Sequence, residues 1–287
     1  MRAAVLGHVE WVDFVRVERL PLAGEIIRAL EAWDEPAGGG AVAAGQLAKL
    51  ASSATLYTAL GDDDRGRRAR EELPRLGVRV DAATRTVAQR RAVTFIEASG
   101  ERTITVVGER IAAVASDPLA WDELATTDAV YVCAADAAAI RRARAARVVV
   151  ATARILPVLR EAATPLDAIV ASARDPSERY RDGDLDPPPH LVVVTDGERG
   201  GTYRAQGGEI RRYDPTPPPG PIIDTYGAGD SFAAGLAYGL AAESSLEAAV
   251  AFAARCGAAA LTGRGAFAGR LSLPGSACEA AAARLRK

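Results

Sequence analysis

The sequence predicts an α/β fold: a mostly parallel central sheet with helices on both faces, accompanied by a small separate β-layer. Three observations carry this reading. Short valine-rich runs, "DAVYV", "RVVVA", "DAIVA" and "HLVVVT" (His190–Thr195), alternate with helical stretches such as "AAAIRRARAA". Strands buried on both faces read as continuous apolar runs, and strand alternating with helix implies a parallel sheet with helices on both sides. Two longer segments, Asp13–Trp33 and Arg91–Gly108, break that rhythm with half-polar, extended patterns. Finally, the glycine-rich loop "IIDTYGAGDSF" (Ile222–Phe232) leads directly into the apolar helix "AAGLAYGLA".

The individual elements follow in order. "AAVLG" (Ala3–Gly7) reads as a buried strand ending in a glycine turn, and "AVAAGQLAKLA" (Ala41–Ala51) as a helix. "ATLYTALG" is a strand, and "DDRGRRAREELPRLG" a charged amphipathic helix closed by glycine, with Pro74 interrupting its pattern. In Arg91–Gly108 the apolar residues alternate around the turn "ASGER", which is a hairpin signal. The two extended segments are read either as edge strands of the main sheet or as a small β-layer built from two insertions. The proline-rich stretches "DLDPPPH" and "DPTPPPG" are short enough to be connectors.

Composition narrows the classes of function. The 287 residues suit one large α/β domain, and 49% hydrophobic with 25% charged residues is the balance of a soluble globular chain. Aromatic residues make up only 5%, so the core rests on Ala, Val and Leu. A net charge of -2 argues against a general nucleic-acid binder. The only lysines are Lys49 and Lys287; the other cations are arginines. Cys133, Cys256 and Cys278 are sparse and odd in number, which speaks against a disulfide framework or a zinc site and for buried thiols in a reducing compartment. No signal peptide or membrane span is read, so the expected location is cytoplasmic.

The loop ahead of the apolar helix carries the chemistry. Around Gly227, Ala228 and Gly229 side chains are small or absent, and the N–H groups at a helix start favour an anion. Asp230 at that helix start has two readings. It is an N-cap, or it is a base that takes a proton from a hydroxyl while the loop neutralises a phosphoryl group in transfer. No G-x-x-x-x-G-K-[ST] run is present, which argues against a P-loop kinase.

"DTYGAGDSFAAGLAYGL" closely resembles the D-T-x-G-A-G-D-x-F pattern of the ribokinase-like sugar kinases, the PfkB carbohydrate kinase family. Other stretches resemble that family in order: "AVLGHVEWVDF", "PLAGEIIRA", "AGGGAVAAGQLAKLA", "ALGDDDRG", "GVRVDA", "GERTI", "VVVTDGERGGTY" and "CGAAALTGRGA", from about Ala4 to Ala268. The resemblance implies a ribokinase-like fold with a β-lid made of Asp13–Trp33 and Arg91–Gly108, often a dimer surface in the family, so a homodimer through the lid is expected. It implies Asp230 as catalytic base and Gly227, Ala228 and Gly229 as anion hole. Thr195, Gly197 and Gly200 would lie along the nucleotide, and Gly257 and Ala258 near the adenine. Implied cofactors are ATP, Mg²⁺ and, in those members that use one, K⁺, with Asp224 helping to hold the monovalent cation.

The departures from the family fall on the substrate side. In the expected substrate-binding set, Val12 stands where the family has a sugar-binding Asp, Glu10 where it commonly has Asn, and Val42, after Gly39 and Gly40, where it has a second Asn. A register shift by one would bring Asp13 into the role instead. After a middle strand the family's N-x-x-E is replaced by Ser172 and Asp175, with Glu178 nearby; Asp175 is the candidate for ordering a metal-bound water. Arg154 and Arg174 are added cations near strand ends. His8 could reach the substrate, although a structural role also accounts for it. The expectation is an ATP-dependent phosphotransferase acting on an alcohol of a sugar or sugar-like metabolite, poor on free ribose and favouring a donor or cationic group opposite Glu10. A nucleoside or other metabolite kinase, and a nucleotide-binding sensor without turnover, remain open.

Overall fold

In the computed structural model, residues 1–242 and 245–273 are described. The main sheet has nine strands in the order β13-β12-β11-β10-β9-β8-β1-β4-β5. Its middle is β1 (Arg2–Leu6), flanked by β4 (Ser53–Gly61) and β8 (Ala129–Val132). Beyond β4 lies β5 (Val78–Arg85). Beyond β8 come β9 (Val148–Thr152), β10 (Ala168–Ser172) and β11 (Leu191–Thr195), all parallel. The antiparallel β12 (Gly201–Ala205) and β13 (Arg211–Tyr213) close that edge.

Alternation along β1 divides the core in two. Ala3 and Val5 face one cluster, with α1 (Gly39–Leu50), α5 (Ala228–Ala241) and α6 (Leu246–Ala260). Ala4 and Leu6 face the other, with α3 (Ala137–Ala143) and α4 (Leu156–Ala162). This is the period-two consequence of a strand covered on both sides. The buried faces of α5 and α6 are mostly Ala and Gly, which lets these helices lie close together: a Cβ on Gly235 or Gly239 would meet Cys256 or Ala249 of α6 at under 3 Å.

A second sheet, of four strands in the order β3-β2-β6-β7, stands apart from the first. Its members are β2 (Glu10–Arg16), β3 (Glu31–Ala37), β6 (Arg91–Ile96) and β7 (Arg102–Val107). The first of the two extended segments differs from its sequence reading: β2 begins at Glu10, and residues 17–30 form no strand. Within that stretch Leu22, Ile26 and Leu30 are exposed. The second segment forms the hairpin anticipated, with Gly100 at φ 83° in its turn and Arg91 opposite Val107 at its foot. Every residue of β7 is exposed, Ile104 and Val106 among them.

One further detail departs from the sequence reading. The charged helix α2 (Asp64–Glu72) stops before Pro74, which opens a 3-10 turn over Leu73–Leu76 closed by the left-handed Gly77. A proline in a helix interior loses a backbone donor and clashes with the preceding turn, so the chain restarts there. Cys133 and Cys256 are buried free thiols, as expected, and Cys278 lies outside the described residues. No helix among the described residues is long and apolar enough to cross a membrane.

Phe14 anchors the small sheet. It is fully buried, stacks on Trp33 at 4.9 Å and meets the edge of Tyr226 at 5.0 Å. Phe14→Ala should therefore destabilise the protein by about 3–5 kcal/mol, read as a lower urea midpoint.

Candidate active site

The parallel strands of the main sheet deliver their carboxyl ends to one rim, where ligands of open α/β sheets bind. His8 follows β1, Cys133 follows β8, Arg154 follows β9, Asp175 and Glu178 follow β10, and Thr195 ends β11. The starts of α1 and α5 meet at this rim. An ideal Cβ on Gly39 would stand 2.7 Å from Asp230 Oδ1 and 3.5 Å from His8 Cε1, so a side chain there would displace that carboxylate.

The structure sets aside the N-cap reading of Asp230. The residue capping α5 is Gly227, in the left-handed region at φ 76°, and no side chain caps this helix. Asp230 sits in the first turn and accepts no hydrogen bond from any described residue. The N–H groups of Gly227, Ala228, Gly229 and Asp230 also lack acceptors, and space is open around Gly229. Burial, and then the nearby Glu178, push the Asp230 carboxyl up to about 6, against the pull of Arg154 and Arg102. Asp230 is thus a half-buried carboxylate without a hydrogen-bond partner among the described residues, beside loop N–H groups that have none there either.

The loop ahead of α5 is fixed from both sides. Asp224, 1% exposed, accepts from the N–H groups of Tyr226 at 2.8 Å and Gly265 at 3.1 Å, and burial pushes its carboxyl up. The Tyr226 hydroxyl accepts from Gly38 N–H at 3.1 Å, which joins the loop to the start of α1. Arg102 of β7 donates to Thr225 O at 2.6 Å, and Thr225 N–H donates to Gly100 O, so the hairpin tip also holds the loop. Glu35 accepts from Ala266 N–H at 2.8 Å and is likewise pushed up by burial.

On the acceptor side, Val12 and Val42 are wholly buried; Val42 packs beneath Gly227 instead of facing open space. Asp13 is paired with Arg91 at 2.9 Å. Glu10 is buried and has Arg90 Nε at 3.0 Å and His8 Nε2 at 3.6 Å from its Oε1. Burial alone would raise Glu10, but His8, Arg90 and Arg110 hold it below its usual value. Burial lowers His8, so it is neutral near pH 7, and its Nδ1 is buried with no hydrogen-bond partner. The face of Glu10 that the sequence suggests for a cationic ligand is therefore already met by the protein's own Arg90. Gly40 packs against the His8 backbone, its N–H donating to His8 O at 3.1 Å.

The nucleotide candidates fall elsewhere on the rim. Gly197 and Gly200 form the turn between β11 and β12, where Arg174 lies over Gly197 and pairs with Asp196 and Glu198. Thr195 donates to Ala171 O at 3.2 Å. Gly257 and Ala258 lie in α6, where Gly257 approaches the start of α5. Asp175 and Glu178 are both paired with Arg154, at 2.6 Å each. Among the described residues no group of three or more His, Cys, Asp or Glu could hold a metal ion, so neither Asp175 nor Asp224 belongs to such a cluster. Arg90, Arg102 and Arg110 are site residues that the sequence reading did not single out. The hairpin register was the available signal, since pairing Arg91 with Val107 brings residues 90 and 108–110 to one end.

The profile of the pfkB family carbohydrate kinases matches residues 2–174 and 187–271. The chain belongs to that family. An ATP-dependent ribose-1-phosphate kinase of Halopiger xanaduensis is 31% identical over 264 residues, covering 82% of this chain and 83% of that protein. The ribokinase of Arabidopsis thaliana, solved with ribose and ATP, is similar with a TM-score of 0.74 at 22% identity, covering 94% of this chain and 96% of that one. The ribokinase of Thermotoga maritima has a TM-score of 0.75 at 19% identity, covering 100% and 99%. At these identities the solved structures establish a shared ribokinase-like fold.

The raised carboxyl of Asp230 has a consequence for stability. Its folded value near 6 lies above the ordinary 3.8, so its contribution is fully present below about pH 4 and is lost as pH rises through 6. Asp230→Asn should raise the thermal midpoint at pH 8 and match the parent protein at pH 4, as read by calorimetry at the two pH values.

Proposed function

We propose that this carbohydrate kinase transfers the γ-phosphoryl group of ATP to an alcohol of a sugar or sugar-like metabolite, with Asp230 as general base. The observation that carries the reading is Asp230 itself: unpartnered, pushed up to about 6, and beside the free N–H groups of Gly227, Ala228 and Gly229. In the step, the acceptor oxygen bonds to the γ-phosphorus as the bond from that phosphorus to the β–γ bridging oxygen breaks. ADP leaves, and the hydroxyl proton passes to Asp230. The loop donors bind the charge on the phosphoryl oxygens in transfer, and the first turn of α5 adds its dipole.

Thr195, Gly197 and Gly200 would line the nucleotide, with Gly257 and Ala258 beside its base. Mg²⁺ is usually held by one or two carboxylates together with substrate phosphates, and Asp175 and Glu178 are the carboxylates available here, shared with Arg154. Bound to the nucleotide, the ion would draw charge from the phosphates. Asp224 and Glu35, both raised by burial, are the groups that a monovalent cation would neutralise. The four-stranded sheet would act as the lid over the acceptor, and its open strand β7 is the surface through which a second copy would pair.

The relative from Halopiger xanaduensis is named for a ribose phosphate and the solved relative from Arabidopsis thaliana holds free ribose. Family membership thus leaves the acceptor to be read from this pocket. Asp230→Asn should lower kcat by about 10²–10⁴-fold while nucleotide binding persists. In the parent protein kcat/KM should climb with pH and level off above about 6, as the base loses its proton. Steady-state kinetics across pH 5–8 with nucleotide titration checks both; near-full activity of the Asn variant would remove Asp230 from the base role.

A further inference from the structure

The foot of the β6–β7 hairpin gathers cations directly beside the catalytic rim. Arg90 immediately precedes β6, and its carbonyl accepts from Trp11 N–H at 2.8 Å, which sets it next to the start of β2. Arg91 pairs with Val107 across the hairpin, and Gly108, at φ 88°, turns the chain beside Arg90; a Cβ there would stand 3.9 Å from Arg90 Cα. Arg110 follows two residues later, so the same end of the hairpin carries both guanidinium groups. From this foot a chain of contacts leads to the base: Arg90 to Glu10, Glu10 to His8, and His8 with Asp230 around Gly39.

The charges here do not cancel. Arg154, the other cation of the rim, is answered by Asp175 and Glu178. At the hairpin foot, Glu10 is the one carboxylate paired with Arg90, and Arg110 has no ion pair or hydrogen bond among the described residues. Neither guanidinium donates a hydrogen bond; the Nε of Arg90 is buried without one, and so is His8 Nδ1. Arg110, although an exposed residue, is also the one described arginine whose resolved shift is downward, by partial desolvation and then by Arg90, whereas the ion-paired Arg79, Arg85 and Arg154 are shifted upward. Arg110 lies within electrostatic reach of both His8 and Glu10, so two guanidiniums gather near one buried carboxylate, with Glu109 as the neighbouring exposed acid. A neutral polyol would leave those donors unanswered, whereas the oxygens of a phosphate monoester match the guanidinium fork.

Resting on the kinase reading above, we propose that the acceptor is a sugar that already carries a phosphate, and that Arg90 and Arg110 hold that phosphate while Asp230 deprotonates the hydroxyl to be phosphorylated. The product is then a sugar bisphosphate, with ADP as the other product. The enzyme supplying this substrate must be one that leaves a phosphomonoester on a sugar, such as a phosphorolytic cleavage or an earlier kinase.

The test combines binding and turnover, using ribose, ribose 1-phosphate and ribose 5-phosphate as probes. Calorimetry without nucleotide should detect at least one of the phosphopentoses and not ribose. With ATP, kcat/KM for that phosphopentose should exceed that for ribose by about 100-fold or more, the scale of two charge-assisted contacts. Arg110→Gln, which removes no contact within the described fold, should lower kcat/KM for the phosphopentose by about 10–100-fold through KM, with the KM for ATP unmoved. Arg90→Lys should lose affinity in the same direction while keeping Glu10 paired. Ribose preferred over both phosphopentoses, or an effect of Arg110→Gln confined to the KM for ATP, overturns the proposal while leaving the kinase reading intact. Phosphopentose binding that depends on Arg110, with no phosphoryl transfer to any probe, sustains the subsite and removes the kinase reading.

Discussion

The start of α1 lies beside the carboxylate of Asp230, where a glycine leaves room that a side chain would fill, and the rest of the site is arranged around that approach. The carboxylate is only partly exposed and accepts no hydrogen bond from any described residue. An ionised carboxylate so placed is costly, and the fold bears this cost because its surroundings are over-determined. Asp224 fixes the loop from beneath, Tyr226 fastens it to Gly38, and Arg102 holds it from the hairpin. Loosening any of these would let Asp230 find a partner or solvent, and its proton affinity would return towards that of an ordinary aspartate.

The arginines around the rim illustrate how the same residue type does different work according to its company. Arg154 is surrounded by carboxylates and behaves as a structural ion pair that also tempers Asp230. Arg174 covers Gly197 while pairing with Asp196 and Glu198. Arg90 shares Glu10 with His8, and the exposed Arg110 has no ion pair among the described residues. A count of arginines could not reveal this, because most of the chain's arginines are simply matched to nearby acids.

How much was legible in the sequence follows from the range of each interaction. The parallel sheet could be read because burial on both faces leaves continuous valine runs, and the Gly227–Asp230 loop because helix-start chemistry is local. The boundaries near Glu10 and Leu30 could not, since strand pairing with a partner eighty residues away decides where β2 begins. Val12 and Val42 stood at positions that a family comparison assigns to the substrate, yet packing turned both into the core. Glu10 stood out in the sequence, but its partner Arg90 lies in a different segment, and only the three-dimensional register joins them. The choice between cap and base for Asp230 likewise needed the position of Gly227 in the left-handed region.

The two sheets divide the labour. The loop Gly227–Asp230 and α5 pack into the nine-stranded core, whereas Glu10, Arg90 and Arg110 stand at the foot of an appended four-stranded layer. Exchanging residues at that base alters no strand of the main sheet and no helix packed on it. Acceptor preference and global folding are therefore nearly independent variables in this architecture. On the reading proposed above, a lineage could explore new substrates by changing a few positions just before β6 and just after β7, while α5 and its loop stay as they are.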